Sequence, residues 1–173
     1  MVVLEDDQGH KVQARALLDS AAECNLMSRH LRKQLILNEN RSAVEVVGIQ
    51  GIATKVQGKV NVTVRSRISQ FSQTMEVFVL PKLSTQSAVA AVNTRNWNLP
   101  AGIELADPRF FESNSIDLVL GVEHFFDFFE SGRRIRLGDN LPLLVDSVFG
   151  WVVTGRYPVD GPINSVLCDG PVQ

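Results

Sequence analysis

The sequence predicts a mainly β domain, and three observations carry that reading. Apolar and polar residues alternate across much of the first half, the period of a strand with one buried face. Glycine and proline interrupt these runs at short intervals. Only Val122 to Phe129 carries a dense apolar pattern of helical type. At 173 residues the chain fits one domain, or one domain with a sizeable insertion. Its hydrophobic fraction of 45% is enough to build a core.

The elements follow in order. Lys11 to Leu18 reads as a strand ending in two buried leucines. Ser28 to Leu37 reads as a short helix with Ser28 as its N-cap. Ala43 to Val47 is a strand closed by Gly48-Ile49-Gln50-Gly51. From Val56 to Val64, the valines and Gly58 face one way and Gln57, Lys59, Asn61 and Thr63 the other. Thr74 to Leu80 alternates again, with Met75, Val77 and Val79 on one face, and Pro81 stops it. Residues 84–115 are irregular and read as an insertion, with a short helix expected around Ala88 to Asn93. Ile116 to Gly121 is a buried strand ended by glycine, and the Val122 to Phe129 helix follows. Its four phenylalanines predict a helix buried on all sides, with a dimer contact as one way to achieve that. Arg133 to Leu137, Leu141 to Val145 and Phe149 to Gly155 are three further strands. The three arginines near Arg133 read as a solvated or ion-paired strand face. The domain is expected over 1–157, with 158–173 as a loose tail.

Several classes of function are excluded as expectations. A net charge of -2 gives no reason to expect a nucleic acid or an anionic membrane as partner. No apolar run approaches the length of a membrane span. The start, MVVLEDDQGH, has neither the basic nor the apolar region of a signal peptide. Cys24 and Cys168 lie far apart and form no metal spacing or disulfide framework, which suits a reduced, intracellular setting. His10, His30 and His124 are scattered and offer no zinc spacing.

Three segments together carry chemistry. In Ala16-Leu17-Leu18-Asp19-Ser20-Ala21-Ala22, two buried leucines run into an acid, a hydroxyl and two small residues. A carboxylate so placed is partly desolvated, and the small residues let another backbone approach. The same residues also suit an ordinary turn. Gly48 to Gly51, set among apolar residues, suits a mobile loop over a ligand, or an ordinary hairpin tip. Ile116 to Gly121 before a helix packs beneath another element, or is simply a core strand.

Taken in order, these segments resemble the retropepsin pattern. In that family a hydrophobic pair precedes Asp-Thr/Ser-Gly, a glycine-rich flap follows, and two apolar residues with a glycine lead into a helix. Here the counterparts are Leu17-Leu18-Asp19-Ser20-Ala21, Gly48-Ile49-Gln50-Gly51 and Val119-Leu120-Gly121. The chain is also similar to the protease region of BEL/Pao-type retrotransposon polyproteins, from about Val12 to Tyr157. That similarity rests on Ala-Leu-Leu-Asp-Ser, Leu105-Ala106-Asp107-Pro108, Ile116-Asp117 before Leu-Val-Leu-Gly, and Phe149-Gly150-Trp151-Val152-Val153-Thr154-Gly155. One departure stands out: Ala21 occupies the position where retropepsins usually have glycine. Alanine there is strained if the backbone needs a positive φ, and only has to fit if it does not.

The resemblance implies an acid-protease fold and an aspartic endopeptidase. Asp19 would be catalytic, supported by Ser20, Ala21, Leu120 and Gly121. Glu23 and the flap residues Gly48, Ile49, Gln50 and Gly51 would meet the substrate. Only one Asp-Ser-Ala triplet is present, so a homodimer with one acid per chain is implied. Asp107 is followed by proline, and Asp146 of Leu144-Val145-Asp146-Ser147 by Ser147-Val148, so neither copies the triplet. The partner implied is a polypeptide, the chain's own polyprotein, in the cytoplasm or a virus-like particle. No metal or organic cofactor is required. Two alternatives stay open: an inactive or domesticated peptide-binding domain, and a monomeric interaction module of the same fold.

Overall fold

The computed structural model describes residues 1–48, 53–83, 94, 97–112 and 114–155. Twelve strands dominate these residues, so the mainly β expectation is borne out. The first five are β1 (Val2–Glu5), β2 (Lys11–Ala14), β3 (Ala16–Leu18), β4 (Leu26–Ser28) and β5 (Glu45–Val47). Then come β6 (Ala53–Lys55), β7 (Gly58–Arg65), β8 (Ser72–Leu80) and β9 (Leu118–Leu120). The last three are β10 (Arg134–Arg136), β11 (Leu143–Ser147) and β12 (Gly150–Thr154). Two short helices interrupt them, α1 (Arg29–Arg32) and α2 (Val122–Phe125).

A seven-stranded sheet runs in the order β2-β1-β7-β8-β4-β9-β3. Its two end strands, β2 and β3, are separated in sequence by Arg15 alone. One nearly continuous strand therefore supplies both edges, and the sheet must curl towards a barrel to bring them together. At the centre β7 and β8 pair antiparallel from Gly58 opposite Val79 to Arg65 opposite Ser72. Their inward residues are those the alternation picks out: Val60, Val62, Val64, Met75, Val77 and Val79 are all buried. Strand β9 is buried on both faces, which explains its uninterrupted Leu-Val-Leu.

Three expectations change. First, β1 was not among the expected strands, yet it sits between β2 and β7 with Val2 and Leu4 in the core. Asp6 closes the β1–β2 turn, its carboxylate accepting from the backbone N–H groups of Gln8, His10 and Ile36. Second, Lys11 to Leu18 is broken at Arg15, because the strand leaves one sheet edge and joins the other. Third, Val122 to Phe129 is a one-turn α-helix followed by a 3-10 turn at Asp127–Phe129. Within the single chain Phe128 of that segment is fully buried and Phe126 is 73% exposed, so burial on all sides would need a contact from a second chain. The Ser28 cap is confirmed, with its side chain accepting from the Leu31 N–H. The helix expected at Ala88 to Asn93 and the tail 158–173 lie outside the described residues.

A three-stranded sheet, β10-β11-β12, packs on the main core through Phe149. The Phe149 ring lies 5.2 Å from Phe71 and 5.1 Å from Phe128. Gly150 follows at φ +104°, and an added Cβ would sit 2.7 Å from the Glu104 carbonyl, so only glycine fits. That approach lets Trp151 exchange main-chain hydrogen bonds with Glu104 and Ala106, tying the insertion to β12. Arg133 pairs with Asp146 and lies over the Trp151 ring, while Arg134 and Arg136 are exposed.

Candidate active site

Strand β3 runs directly into Asp19, and the chain returns through Ala22 and Asn25 into β4. Strand β9 lies between the two arms, parallel to β3 and antiparallel to β4. The loop tip is thus pinned to the end of β9 by main-chain bonds. The Asp19 N–H donates to the Leu120 carbonyl at 3.0 Å, and the Val122 N–H donates to the Ala22 carbonyl at 2.8 Å. Between these two bonds sits Gly121. An added Cβ there would lie 2.6 Å from the carbonyl oxygens of both Ala22 and Cys24, so no side chain is accommodated. Asp19, Ser20, Ala21, Leu120 and Gly121, grouped from the sequence, are therefore brought together.

Asp19 is half-buried, and Ser20 and Ala21 beside it are exposed. Asp19 Oδ1 accepts the Ala21 N–H at 2.9 Å. Among the described residues the only non-glycine residue with a positive φ is Asn140. Ala21 therefore supplies its N–H without backbone strain, and its methyl group has only to fit. Glu23 is exposed on the same loop. Gly48 ends one arm of the β5–β6 hairpin, whose strands pair from Glu45 opposite Lys55 to Val47 opposite Ala53. Ile49, Gln50 and Gly51 lie outside the described residues.

An apolar cluster connects this loop to the hairpin base. Val56, Leu80, Leu83 and Val119 are buried, and Leu17, Ala22, Leu26, Val46 and Phe78 pack against them. Leu17 and Ala22 flank Asp19, and Val46 belongs to β5. This buried contact fastens the Asp19 loop to the base of the hairpin.

Neither of the other two acids weighed from the sequence is free for a second catalytic role. Asp107 lies 2.7 Å from Arg15 Nε, and Asp146 lies 2.6 Å from Arg133 Nη2. Arg15 also donates to the carbonyls of Glu112 and Arg109, so it fastens the insertion at the break between β2 and β3. Cys24 is half-buried. Burial and then the charge of Glu23 push its thiol pKa up, which keeps it protonated and argues against a thiolate nucleophile. No group of three or more His, Cys, Asp or Glu among the described residues could hold a metal ion.

Asn25 was not singled out from the sequence. It is 1% exposed and precedes β4, with its side chain donating to the Glu76 carbonyl and accepting the Gly121 N–H. A polar residue at the entry to the buried run Leu26-Met27 was the signal that could have found it.

No protein-family model matches the chain, and no curated protein sequence matches it. Among solved structures, it is similar to the crystal structure of the retroviral protease-like domain of Ddi1 from Leishmania major. The identity is 10%, over 89% of this chain and 92% of that chain, with a TM-score of 0.35. A superposition that loose bears no weight, so any reading of the site stands on the geometry above.

Proposed function

We propose that this chain is a retropepsin-like aspartic endopeptidase of a BEL/Pao-type polyprotein, working as a homodimer with one Asp19 per chain. One observation carries the reading: a half-buried aspartate sits at the tip of a loop whose two arms straddle β9. Gly121 sits too close to that loop to carry a side chain. Such bracing suits a carboxylate that must be held rigidly against a symmetry mate. The unstrained Ala21 favours an active site over a decayed one.

In this mechanism two Asp19 carboxyls share one proton, because two close carboxylates do not both ionise easily. Pepsin-type pairs of aspartates titrate in this way, and their logic is carried over here by resemblance. The ionised Asp19 takes a proton from water as the oxygen bonds to the peptide carbonyl carbon. The protonated partner gives its proton to the carbonyl oxygen. The resulting diol collapses with proton transfer to the departing amine, and the C–N bond breaks. Ser20 would hold the two loops together across the two-fold axis. The β5–β6 hairpin would close over an extended peptide bound as an added strand. Glu23 would meet substrate backbone.

Incubation of the purified chain with a peptide library from acid to neutral pH, beside Asp19→Asn, tests this. Cleavage by the wild type and none by the variant is expected. A folded, dimeric wild type that cleaves nothing at any pH would sink the enzyme reading and leave a peptide- or protein-binding domain as the alternative.

A further inference from the structure

We infer that Asn25 is a positioning residue for the Asp19 loop, a role that rests on the reading of Asp19 as catalytic. The Asn25 side chain is buried and bonded at both ends. Its Oδ1 accepts the Gly121 N–H at 2.9 Å, and its Nδ2 donates to the Glu76 carbonyl at 3.0 Å. Its own carbonyl accepts the Phe78 N–H at 2.9 Å. Three elements therefore meet at one amide: the returning arm of the catalytic loop, the end of β9, and β8 in the main sheet. A side-chain oxygen towards the N–H and a nitrogen towards the carbonyl is the one orientation that pairs both.

The geometry transmits this anchorage to the carboxylate. Gly121 has Leu120 on one side, which accepts the Asp19 N–H, and Val122 on the other, which donates to Ala22. A shift of Gly121 thus displaces both ends of the segment that carries Asp19, Ser20 and Ala21. A buried amide is costly unless every group is paired, and a leucine here would avoid that cost but make no bridge. Packing needs do not account for an asparagine in this place. Fixing the loop to the rigid β7–β8 hairpin does.

Asn25→Asp turns the bridge into a titratable one. One carboxyl oxygen still accepts the Gly121 N–H, but the other faces the Glu76 carbonyl and bonds to it only when protonated. Two readouts apply to the full chain. In the first, the backbone amide resonances of Asp19, Gly121 and Val122 are followed against pH in Asn25→Asp and in the wild type. All three should titrate together in the variant, on a transition absent from the wild type. In the second, kcat and KM for peptide cleavage are measured over the same range. The variant should match the wild type in acid and lose about tenfold or more in kcat as the introduced carboxyl ionises, with KM little changed, as expected for a misplaced catalytic group. Asn25→Ala serves if Asn25→Asp unfolds on ionisation, and it should lower kcat at every pH with the fold retained. A Gly121 resonance that titrates alone, or a variant kcat profile superimposable on the wild type, overturns the role. If the wild type cleaves nothing, the amide titration still decides whether Asn25 holds the loop, so the two failures are distinguishable.

Discussion

Gly121→Ala offers a quantitative check on the bracing of the Asp19 loop. Its Cβ would lie 2.6 Å from two backbone carbonyl oxygens, those of Ala22 and Cys24. Ordinary van der Waals contact begins near 3.4 Å, so the loop must retreat by about 0.8 Å. The obstacle is main chain on both sides and cannot swing away as a side-chain tip would. Overpacking of this kind costs about 1–3 kcal/mol. The retreat also stretches the 2.8 Å bond from Val122 to Ala22 and loosens the bond from Gly121 to Asn25. Losing both adds roughly 1–3 kcal/mol. A total of about 2–6 kcal/mol is expected, read as a lower urea midpoint at unchanged m-value. Because a displacement near 1 Å at a reacting group costs about a hundredfold in rate, cleavage should fall by about that factor wherever the variant remains folded. A Gly121→Ala chain with wild-type midpoint and wild-type kcat would refute the close packing of Gly121 against the loop.

Two other outcomes are expected at Ala21 and Asp6. Ala21→Gly keeps the N–H that bonds Asp19 and relieves no strain, so cleavage should stay within about threefold of wild type. Its stability should drop by about 0.4–1 kcal/mol through the greater freedom of the unfolded chain, measured by urea denaturation, and a large gain in activity would contradict the unstrained alanine. Asp6 is subject to opposing effects: burial alone raises its pKa, but the N–H groups of Ile36, His10 and Gln8 outweigh it and hold the pKa below the ordinary carboxylate value. A depressed carboxyl stabilises the fold above its unfolded pKa, and that contribution is lost as pH falls through the folded pKa. Asp6→Asn should therefore have a lower Tm than wild type at neutral pH, with the gap narrowing in strong acid. A gap independent of pH would refute the ionised clamp.

How much of this was legible in the sequence depends on the range of the interaction. The alternation in β7 and β8 was readable because adjacent strands of a hairpin bury one face each, and every inward valine lies where its period puts it. Ser28 was readable as a cap because capping is local. Strand β1 has the same alternation in Val2 and Leu4, but four residues are too few to separate a strand from a chain end. The pairing of β3 with β9 joins residues far apart in the chain, and no local pattern encodes it. Leu17-Leu18-Asp19 and Leu120-Gly121 could be marked as candidates, but their juxtaposition is a tertiary fact. The break at Arg15 was hidden because Val12, Ala14 and Ala16 keep the apolar period through it, while the arginine itself turns to the insertion. The four-phenylalanine segment was legible as apolar, but pattern alone does not say whether its own chain or a second one covers Phe126.

Mixing wild-type and Asp19→Asn chains at constant total concentration, after subunit exchange, tests the central claim most directly. If each site takes one Asp19 from each of two chains, only wild-type homodimers cleave. An equal mixture should then retain about one quarter of wild-type activity, and activity should follow the square of the wild-type fraction. A linear fall to about one half would mean that each chain holds a complete site, and would contradict the shared pair of aspartates.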